Sequence, residues 1–328
     1  LSPGIGVGLP VTLIVGLVGL GLNVLVLRNV IAPVYFAPPV PAPAGETATT
    51  YRFGSGIELV GYRIQPTQPI SGQPLTVDVT WRALRPISMN DAAALTLLGD
   101  TGALVAETRS WPEGGRAPTT AWKTGQVIQD HYVLTPRWEG ASPHLAKLWL
   151  SLYDASVVTA PPIRVYDASG KPIGDGVALT SLKLSPTEAA RAAPSHPLEA
   201  HFGPAYQLGG FNLVQTPDKL RLTLVWHATA PPGDSYNVFV HLMDASGHLM
   251  TQHDGPPRNG AYPTSFWDVG EIIHDEHVVP LSGVPAGAYQ LQVGLYLLAT
   301  GRRLPVVATT GEQVQDESLV LTPIEIAP

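Results

Sequence analysis

Histidine is the side chain in this sequence with the widest chemical repertoire, and seven of its ten copies lie after residue 200. His274 and His277 have a spacing that suggests a pair of metal ligands. In a strand, however, residues three apart face opposite sides of the sheet. The two rings could therefore share a metal ion only across a bulge, so we predict no metal site and no cofactor. The histidines are expected to be solvated or hydrogen-bonded.

Two aspartates recur in a pair of similar segments. Residues 122–130 read WKTGQVIQD and residues 267–275 read WDVGEIIHD, and both fit the pattern W-x-x-G-x-[VI]-I-x-D. An Asp that is kept while its neighbours differ indicates a shared structural task, either hydrogen bonding in a turn or Ca²⁺ binding in a loop, and the turn is the commoner case. Trp122, Asp130 and Asp275 are therefore interpreted as repeated structural residues.

Known catalytic motifs do not occur in the sequence. It contains no Walker loop, no Gly-rich dinucleotide motif, no G-x-S-x-G and no H-E-x-x-H. The absence of Cys excludes disulfides, thiol catalysis and Cys-ligated metals. A net charge of −7 without a Lys/Arg cluster disfavours nucleic acid as a partner. We therefore predict that the chain is not an enzyme.

The segment 254–271, DGPPRNGAYPTSFWDVGE, is the strongest candidate for a ligand or partner loop. Its candidate residues are Asn259, Tyr262, Phe266 and Trp267. Trp267 recurs as Trp122, which favours a place in the core. Tyr262 and Phe266 have no aromatic counterparts in the earlier segment, so they carry the ligand hypothesis. Such rings could stack on sugars or anchor a partner protein.

An internal duplication defines the expected architecture. Residues 75–83, LTVDVTWRA, align with residues 220–228, LRLTLVWHA, at an offset of 145 that persists through the W-x-x-G segments. Apolar and polar residues alternate in these stretches, as in half-buried strands, and Gly, Pro and Asp clusters separate them. We predict an all-β chain with two tandem antiparallel β-sandwich domains. The predicted sandwiches span 51–185 and 199–328, joined by a linker at 186–198.

The N-terminal segment has a different character, because none of its first 27 residues is charged. Roughly 20 apolar residues at 1.5 Å each cross the hydrocarbon core of a bilayer, so 1–33 is predicted to be a transmembrane helix. Within it, Gly16, Gly19 and Gly21 would allow close packing on other helices. Residues 34–50 are predicted to be a Pro-rich spacer. Because the chain begins with Leu, we expect a processed product or the tail of a longer protein.

The second repeat resembles a known module. Its sequence includes FVHLMDASGHLMTQHDGPPRNGAYPTSFWDVGEIIHDEHVV and VPAGAYQLQVGLYLLATGRRLPV. Residues 202–307 resemble the β-sandwich tail that follows the last membrane helix in bacterial polytopic membrane proteins similar to dolichyl-phosphate-mannose protein mannosyltransferases. The first repeat is similar more loosely. The resemblance implies an extracytoplasmic, non-catalytic appendage, to which no catalytic residue carries over.

These observations predict a membrane-anchored extracytoplasmic protein that acts by binding or assembly, as an accessory part of a glycosyltransferase-like membrane protein. Its expected partners are the lipid bilayer and other membrane subunits or copies of itself. Two alternatives remain: a structural subunit of a surface filament or membrane complex packed through the Gly-rich helix, and a carbohydrate-binding module that takes glycans. Arg28, just after the apolar run, weakly favours the cytoplasmic side for the residues beyond it.

Overall fold

The structure is a computed structural model of the chain. It describes residues 42–99, 102–157, 159–188, 192–231, 233–308 and 313–327. The predicted transmembrane helix at 1–33, with Gly16, Gly19 and Gly21, lies outside the described residues. In the part of the chain that is described, no helix is long and apolar enough to span a bilayer.

The described chain is all-β, as the alternating sequence predicts, and its strands form four antiparallel sheets. The N-terminal half contributes β1 (Thr47–Phe53), β2 (Ile57–Gln65), β3 (Leu75–Ala83), β4 (Asp91–Gly99), β5 (Leu104–Ser110), β6 (Val127–Leu134), β7 (His144–Asp154), β8 (Val165–Tyr166), β9 (Pro172–Gly174) and β10 (Val177–Leu184). The C-terminal half contributes β11 (His196–Phe202), β12 (Tyr206–Gln215), β13 (Lys219–Ala228), β14 (Tyr236–Met243), β15 (Leu249–Gly255), β16 (Ile272–Pro280), β17 (Gly287–Leu297), β18 (Val306–Ala308) and β19 (Leu319–Ile326).

The two halves share one strand order. Sheet 1 is β6-β3-β2-β1-β8-β9 and sheet 3 is β16-β13-β12-β11-β18, while sheet 2 is β10-β7-β4-β5 and sheet 4 is β19-β17-β14-β15. Apart from β9, every strand of the first half has a counterpart in the second. The break in register at Val60 of β2 recurs at Gly209 of β12. The duplication in the sequence is therefore matched by a duplication of the fold.

Each half has a hydrophobic core to which both of its sheets contribute. In the first half, Trp81 of β3 is buried and meets Phe53 edge-on, with ring centres 5.6 Å apart. In the second half, Trp226 and Phe202 form the same contact at 5.1 Å. Edge-to-face aromatic pairs add specific packing energy to the burial of their area. Each half is therefore sandwich-like, with two sheets around one core.

Two strands begin inside segments predicted as connections. β1 starts at Thr47, within the spacer 34–50, and β11 starts at His196, within the linker 186–198. In each case the early residues pair with the next strand of the sheet, and the His196 ring also stacks on Phe211 at 4.7 Å. Pro and Ala near these positions obscured the strands, because both residue types are depleted in strands. Pro is nevertheless tolerated at the start of a strand, where Pro197 of β11 lies.

A buried carboxyl group lies at the start of β4. Asp91 is 2% exposed, and its Oδ1 has no hydrogen-bond partner among the described residues. Burial raises the pKa of Asp91 from its ordinary 3.8 to about 7, and the charge of Asp154 adds to the rise. The folded state therefore prefers the protonated acid. The contribution of Asp91 to the free energy of unfolding is fully present below pH 3.8 and is lost as the pH rises through 7, because the buried carboxyl group then ionises.

We predict that Asp91→Asn stabilises the protein at alkaline pH, because it removes a buried charge. The free energy of unfolding should rise by roughly 2–4 kcal/mol at pH 8, and the gain should shrink towards pH 4. Urea unfolding at a series of pH values measures this difference. Asp175→Asn, at an exposed carboxyl group, is the matched control and should shift stability by less than about 0.5 kcal/mol. A gain that does not vary with pH would contradict the role given to Asp91.

Candidate functional site

Equivalent loops carry the chain between the two sheets of each half. The first crossing loop, residues 111–126, joins β5 to β6, and the second crossing loop, residues 256–271, joins β15 to β16. The second loop contains all four residues predicted to contact a ligand or partner. It opens with a turn in which Arg258 and Asn259 take φ values of 53° and 54°. Asn adopts this left-handed conformation more readily than most residues, whereas Arg258 needs further support.

The two recurrent aspartates hold this turn in both halves. Asp275 Oδ1 accepts a hydrogen bond from the Arg258 backbone N–H at 2.6 Å. Asp130 Oδ1 accepts the equivalent bond from Glu113 at 2.9 Å. Both aspartates are buried, and a buried carboxylate needs donors. Each carboxylate therefore stabilises a left-handed turn, and the turn supplies one of its donors.

A recurrent threonine, for which no role was predicted, holds the second turn of each loop. Thr264 Oγ1 accepts the Tyr236 backbone N–H at 2.8 Å and donates to the Asp234 carbonyl at 3.0 Å. Thr119 Oγ1 makes the equivalent bonds: it accepts the Asp91 backbone N–H at 2.8 Å and donates to the Met89 carbonyl at 2.7 Å. The available signal was the shared sequence Pro-Thr-x-x-Trp, which recurs at the offset of 145.

The two repeated tryptophans are part of the cores. Trp267 is fully buried and Trp122 is 4% exposed. Each indole N–H donates at 3.0 Å to a carbonyl five residues earlier in its own loop, at Tyr262 and Ala117 respectively. These side chains anchor the crossing loops, and Trp267 offers no ring face to an external ligand.

Tyr262 and Phe266, predicted to act together, have different surroundings. Tyr262 is fully buried, and its hydroxyl donates to Glu271 Oε2 at 2.7 Å. Burial, followed by that hydrogen bond, raises the pKa of the Tyr262 hydroxyl. Phe266 is 49% exposed and Asn259 is also exposed. Of the four predicted loop residues, only Phe266 and Asn259 have side chains that an external molecule can reach.

The second crossing loop contacts the first half of the chain through a lysine. Lys183 of β10 donates to the Phe266 carbonyl at 2.6 Å and to the Asp268 carboxylate. Its ammonium group also lies 3.3 Å from Glu271 Oε1 and 5.5 Å from the centre of the Tyr262 ring. With only 17% of the lysine side chain exposed, these charge-assisted bonds are stronger than surface ion pairs.

An arginine makes a second contact between the halves. Arg258 Nη1 donates to the Pro143 carbonyl at 2.6 Å, and its guanidinium lies 5.8 Å from the Trp138 ring centre. Trp138 stacks on His144 with ring centres 3.9 Å apart. Leu145, the next residue, packs against the core of the second half. The second crossing loop, predicted to bind a partner, therefore contacts the first half of its own chain through Lys183 and Pro143.

A cleft of about 560 Å³ lies where the halves meet. This inter-half cleft is lined by Leu98, Leu145, Trp149, Gly260, Ala261 and Phe266. Lys147 and Ser181 add polar groups to its wall. Largely apolar walls with a few polar groups are typical of ligand pockets of roughly 300–1,000 Å³. The exposed ring of Phe266 lies in this cleft.

Two histidines of the second half, His253 and His277, form a hydrogen-bonded chain with Asp275. His277 Nε2 lies 2.8 Å from Asp275 Oδ2, and His253 Nδ1 lies 3.0 Å from His277 Nδ1. Because the carboxylate accepts, His277 donates to Asp275 through Nε2. Burial, aided by the charge of His277, lowers the pKa of His253. Across the described residues, no group of three His, Asp or Glu side chains is placed to bind a metal ion.

Comparison with known proteins assigns no family to this arrangement. No protein-family model matches the chain, and no curated protein matches it. The fold and the site define an all-β chain with two sandwich-like halves, a cleft between them and a loop that joins them.

We predict that Lys183→Met weakens the contact between the halves, because it removes charged hydrogen bonds. The free energy of unfolding should fall by about 1–3 kcal/mol. Asp268→Asn should cost less, and the double variant should fall short of additivity by about 1 kcal/mol, since the two residues share one ion pair. Urea unfolding of the four proteins measures this coupling. Lys147→Met on the neighbouring strand is the control, and strictly additive effects would show that the pair is not coupled.

Proposed function

We propose that this chain is a membrane-anchored extracytoplasmic protein that acts by binding or assembly. In this proposal the two halves are tandem β-sandwich domains, predicted at 51–185 and 199–328 and extended by β1 and β11 to begin at Thr47 and His196, and 1–33 is a transmembrane helix. Residues 34–50 act as a spacer, at least up to the start of β1, and hold the domains away from the bilayer. The bilayer is one partner, and other membrane subunits or further copies of the chain are the others.

The observation that carries the proposal is the inter-half cleft. Lys183 and Arg258 hold the two halves against each other, and an apolar cleft stays open where they meet. Phe266 exposes half of its surface there. Exposed aromatic side chains in concave surfaces are typical anchors for a ligand or a protein partner.

The sequence supports the membrane and accessory parts of the proposal. The uncharged run at 1–27 is long enough to cross a bilayer. The second half resembles the sandwich tails of bacterial membrane proteins similar to dolichyl-phosphate-mannose protein mannosyltransferases. Such a tail is an extracytoplasmic appendage, so we propose that this chain accompanies or completes a glycosyltransferase-like membrane protein.

Two measurements on the whole chain in its native cells test the proposal. We expect the chain to fractionate with membranes, and a protease added to intact cells should degrade the sandwich-like halves. After gentle solubilisation, mass spectrometry should recover a membrane glycosyltransferase-like subunit or further copies of the chain. Protection from external protease would overturn the extracytoplasmic placement, and recovery in the soluble fraction would overturn the anchor.

A carbohydrate ligand is the second candidate, favoured by the chemistry of the inter-half cleft. Phe266 and Trp149 present aromatic rings there, and Lys147 and Ser181 provide hydrogen-bonding groups. Sugar rings have apolar C–H faces that pack on aromatic rings, and hydroxyl groups that need polar partners. Because Tyr262 is buried, Trp149 replaces it as the second aromatic residue of this hypothesis.

We predict that Phe266→Ala weakens glycan binding about tenfold, or ~1.4 kcal/mol, because the stacking surface is lost. A glycan array with the whole chain identifies a ligand, and titration calorimetry then compares the variants. Leu298→Ala is the control, since Leu298 is also an exposed apolar residue, 68% exposed, but does not line the cleft. Absence of glycan binding, or equal affinity in Phe266→Ala, would rule out this candidate.

A further inference from the structure

The contact between the halves joins two surfaces that each have a counterpart elsewhere in the chain. One surface is the face of sheet 2 that carries Lys183, and its counterpart is the same face of sheet 4. The other surface is the second crossing loop, whose counterpart is the first crossing loop. The duplicated fold therefore contains a second pair of surfaces with the same backbone framework.

Strand register identifies the residue of sheet 4 that corresponds to Lys183. Lys183 of β10 pairs with Leu145 of β7, and Glu325 of β19 pairs with Ala288 of β17. β10 and β7 occupy the positions in sheet 2 that β19 and β17 occupy in sheet 4. Glu325 thus takes the place of Lys183, and its side chain is exposed.

Local hydrogen bonding identifies the loop residue that corresponds to Asp268. The Asp268 backbone N–H donates to Glu271 Oε2 at 2.9 Å, and the Lys123 N–H donates to Gln126 Oε1 at 2.9 Å. The two turns are 145 residues apart, the offset of the repeat. Lys123 thus takes the place of Asp268, and it is also exposed.

The charges of the second pair are exchanged relative to the first. Inside the chain, a cation on the sheet, Lys183, meets an anion on the loop, Asp268. On the counterpart surfaces an anion, Glu325, lies on the sheet and a cation, Lys123, lies on the loop. We propose that the Glu325 face of sheet 4 in one molecule binds the first crossing loop of a second copy of this chain, with Lys123 paired to Glu325.

Such a contact joins different surfaces of identical molecules, so it can continue from copy to copy and build an open row or a ring. Ala117 and Ala121 stand in the first crossing loop where the second has Tyr262 and Phe266. The contact between molecules therefore buries less aromatic surface than the contact within one molecule. It should be weak in dilute solution and significant where a membrane concentrates the chain.

This inference deepens the proposed assembly function by naming the partner, and it rests on that proposal only for the membrane that concentrates the chain. The surfaces lie apart from the inter-half cleft, so ligand binding there can fail while self-association holds. The test uses the whole chain in liposomes, where the cellular side of the membrane has no influence. Flotation of the chain with the liposomes is measured first, so failure of the membrane anchor and failure of the contact between copies give different results.

Charge reversal provides the test. Fluorescence energy transfer between labelled copies of the whole chain in liposomes should fall at least threefold for Lys123→Glu and for Glu325→Lys. The double variant should recover most of the signal, because the pair is restored with opposite polarity. Lys171→Glu, at another exposed lysine, should leave the signal unchanged. No loss in the single variants, or no recovery in the double variant, would overturn the proposal.

The chain contains no Cys, so introduced cysteines provide a separate test of whether Lys123 of one copy lies near Glu325 of another. Lys123→Cys and Glu325→Cys, purified apart with tags of different size, are mixed in liposomes and mildly oxidised. The mixed disulfide dimer should form several-fold faster than in a mixture of Lys123→Cys with Ser246→Cys, an exposed turn position. Equal rates in the two mixtures would contradict the contact.

Discussion

The hydrogen bond between the Arg258 backbone and the Asp275 carboxylate is the constraint on which the rest of the site depends. A non-Gly residue with positive φ is unfavourable, and a buried carboxylate is costly without donors. The hydrogen bond offsets both costs: it stabilises the left-handed backbone at Arg258 and gives the buried Asp275 carboxylate a donor. With its backbone fixed, Arg258 can direct its side chain to Pro143 in the first half. One buried carboxylate thus positions the arginine that contacts the first half.

The duplication separates the residues that make the fold from those that make the contacts. Positions with the same task in both halves keep the same residue type, as Asp130 and Asp275 do. Contact positions differ completely: Arg258 corresponds to Glu113, and Phe266 corresponds to Ala121. One framework therefore presents a loop of net charge −1 with Tyr262 and Phe266 in one half, and a loop of net charge +1 with Ala at both of those positions in the other. Residues that hold the loop backbone are therefore shared by the two copies, whereas residues that make contacts beyond the loop differ.

Much of the fold was predictable from the sequence, because alternation and duplication are local or regularly spaced signals. The alternation in 75–83 predicted β3, and the offset of 145 predicted that a second set of strands would follow the first. The contacts of Lys183 were not predictable, since its partners lie more than 80 residues away and leave no periodic trace. Tyr262 illustrates the same limit: its residue type suggested a binding surface, but only packing shows that it is covered.

The docking of the second crossing loop on the first half also sets an order of events during synthesis. β10 completes sheet 2 at Leu184, while the loop that packs beside Leu145 ends only at residue 271. A ribosome that adds about 5–20 residues per second needs on the order of 4–17 seconds to cover this interval. During that time Leu145 lacks the second hydrophobic core against which it packs in the folded protein. The first half must therefore persist as a nascent domain with an apolar flank exposed, until the second half folds against it.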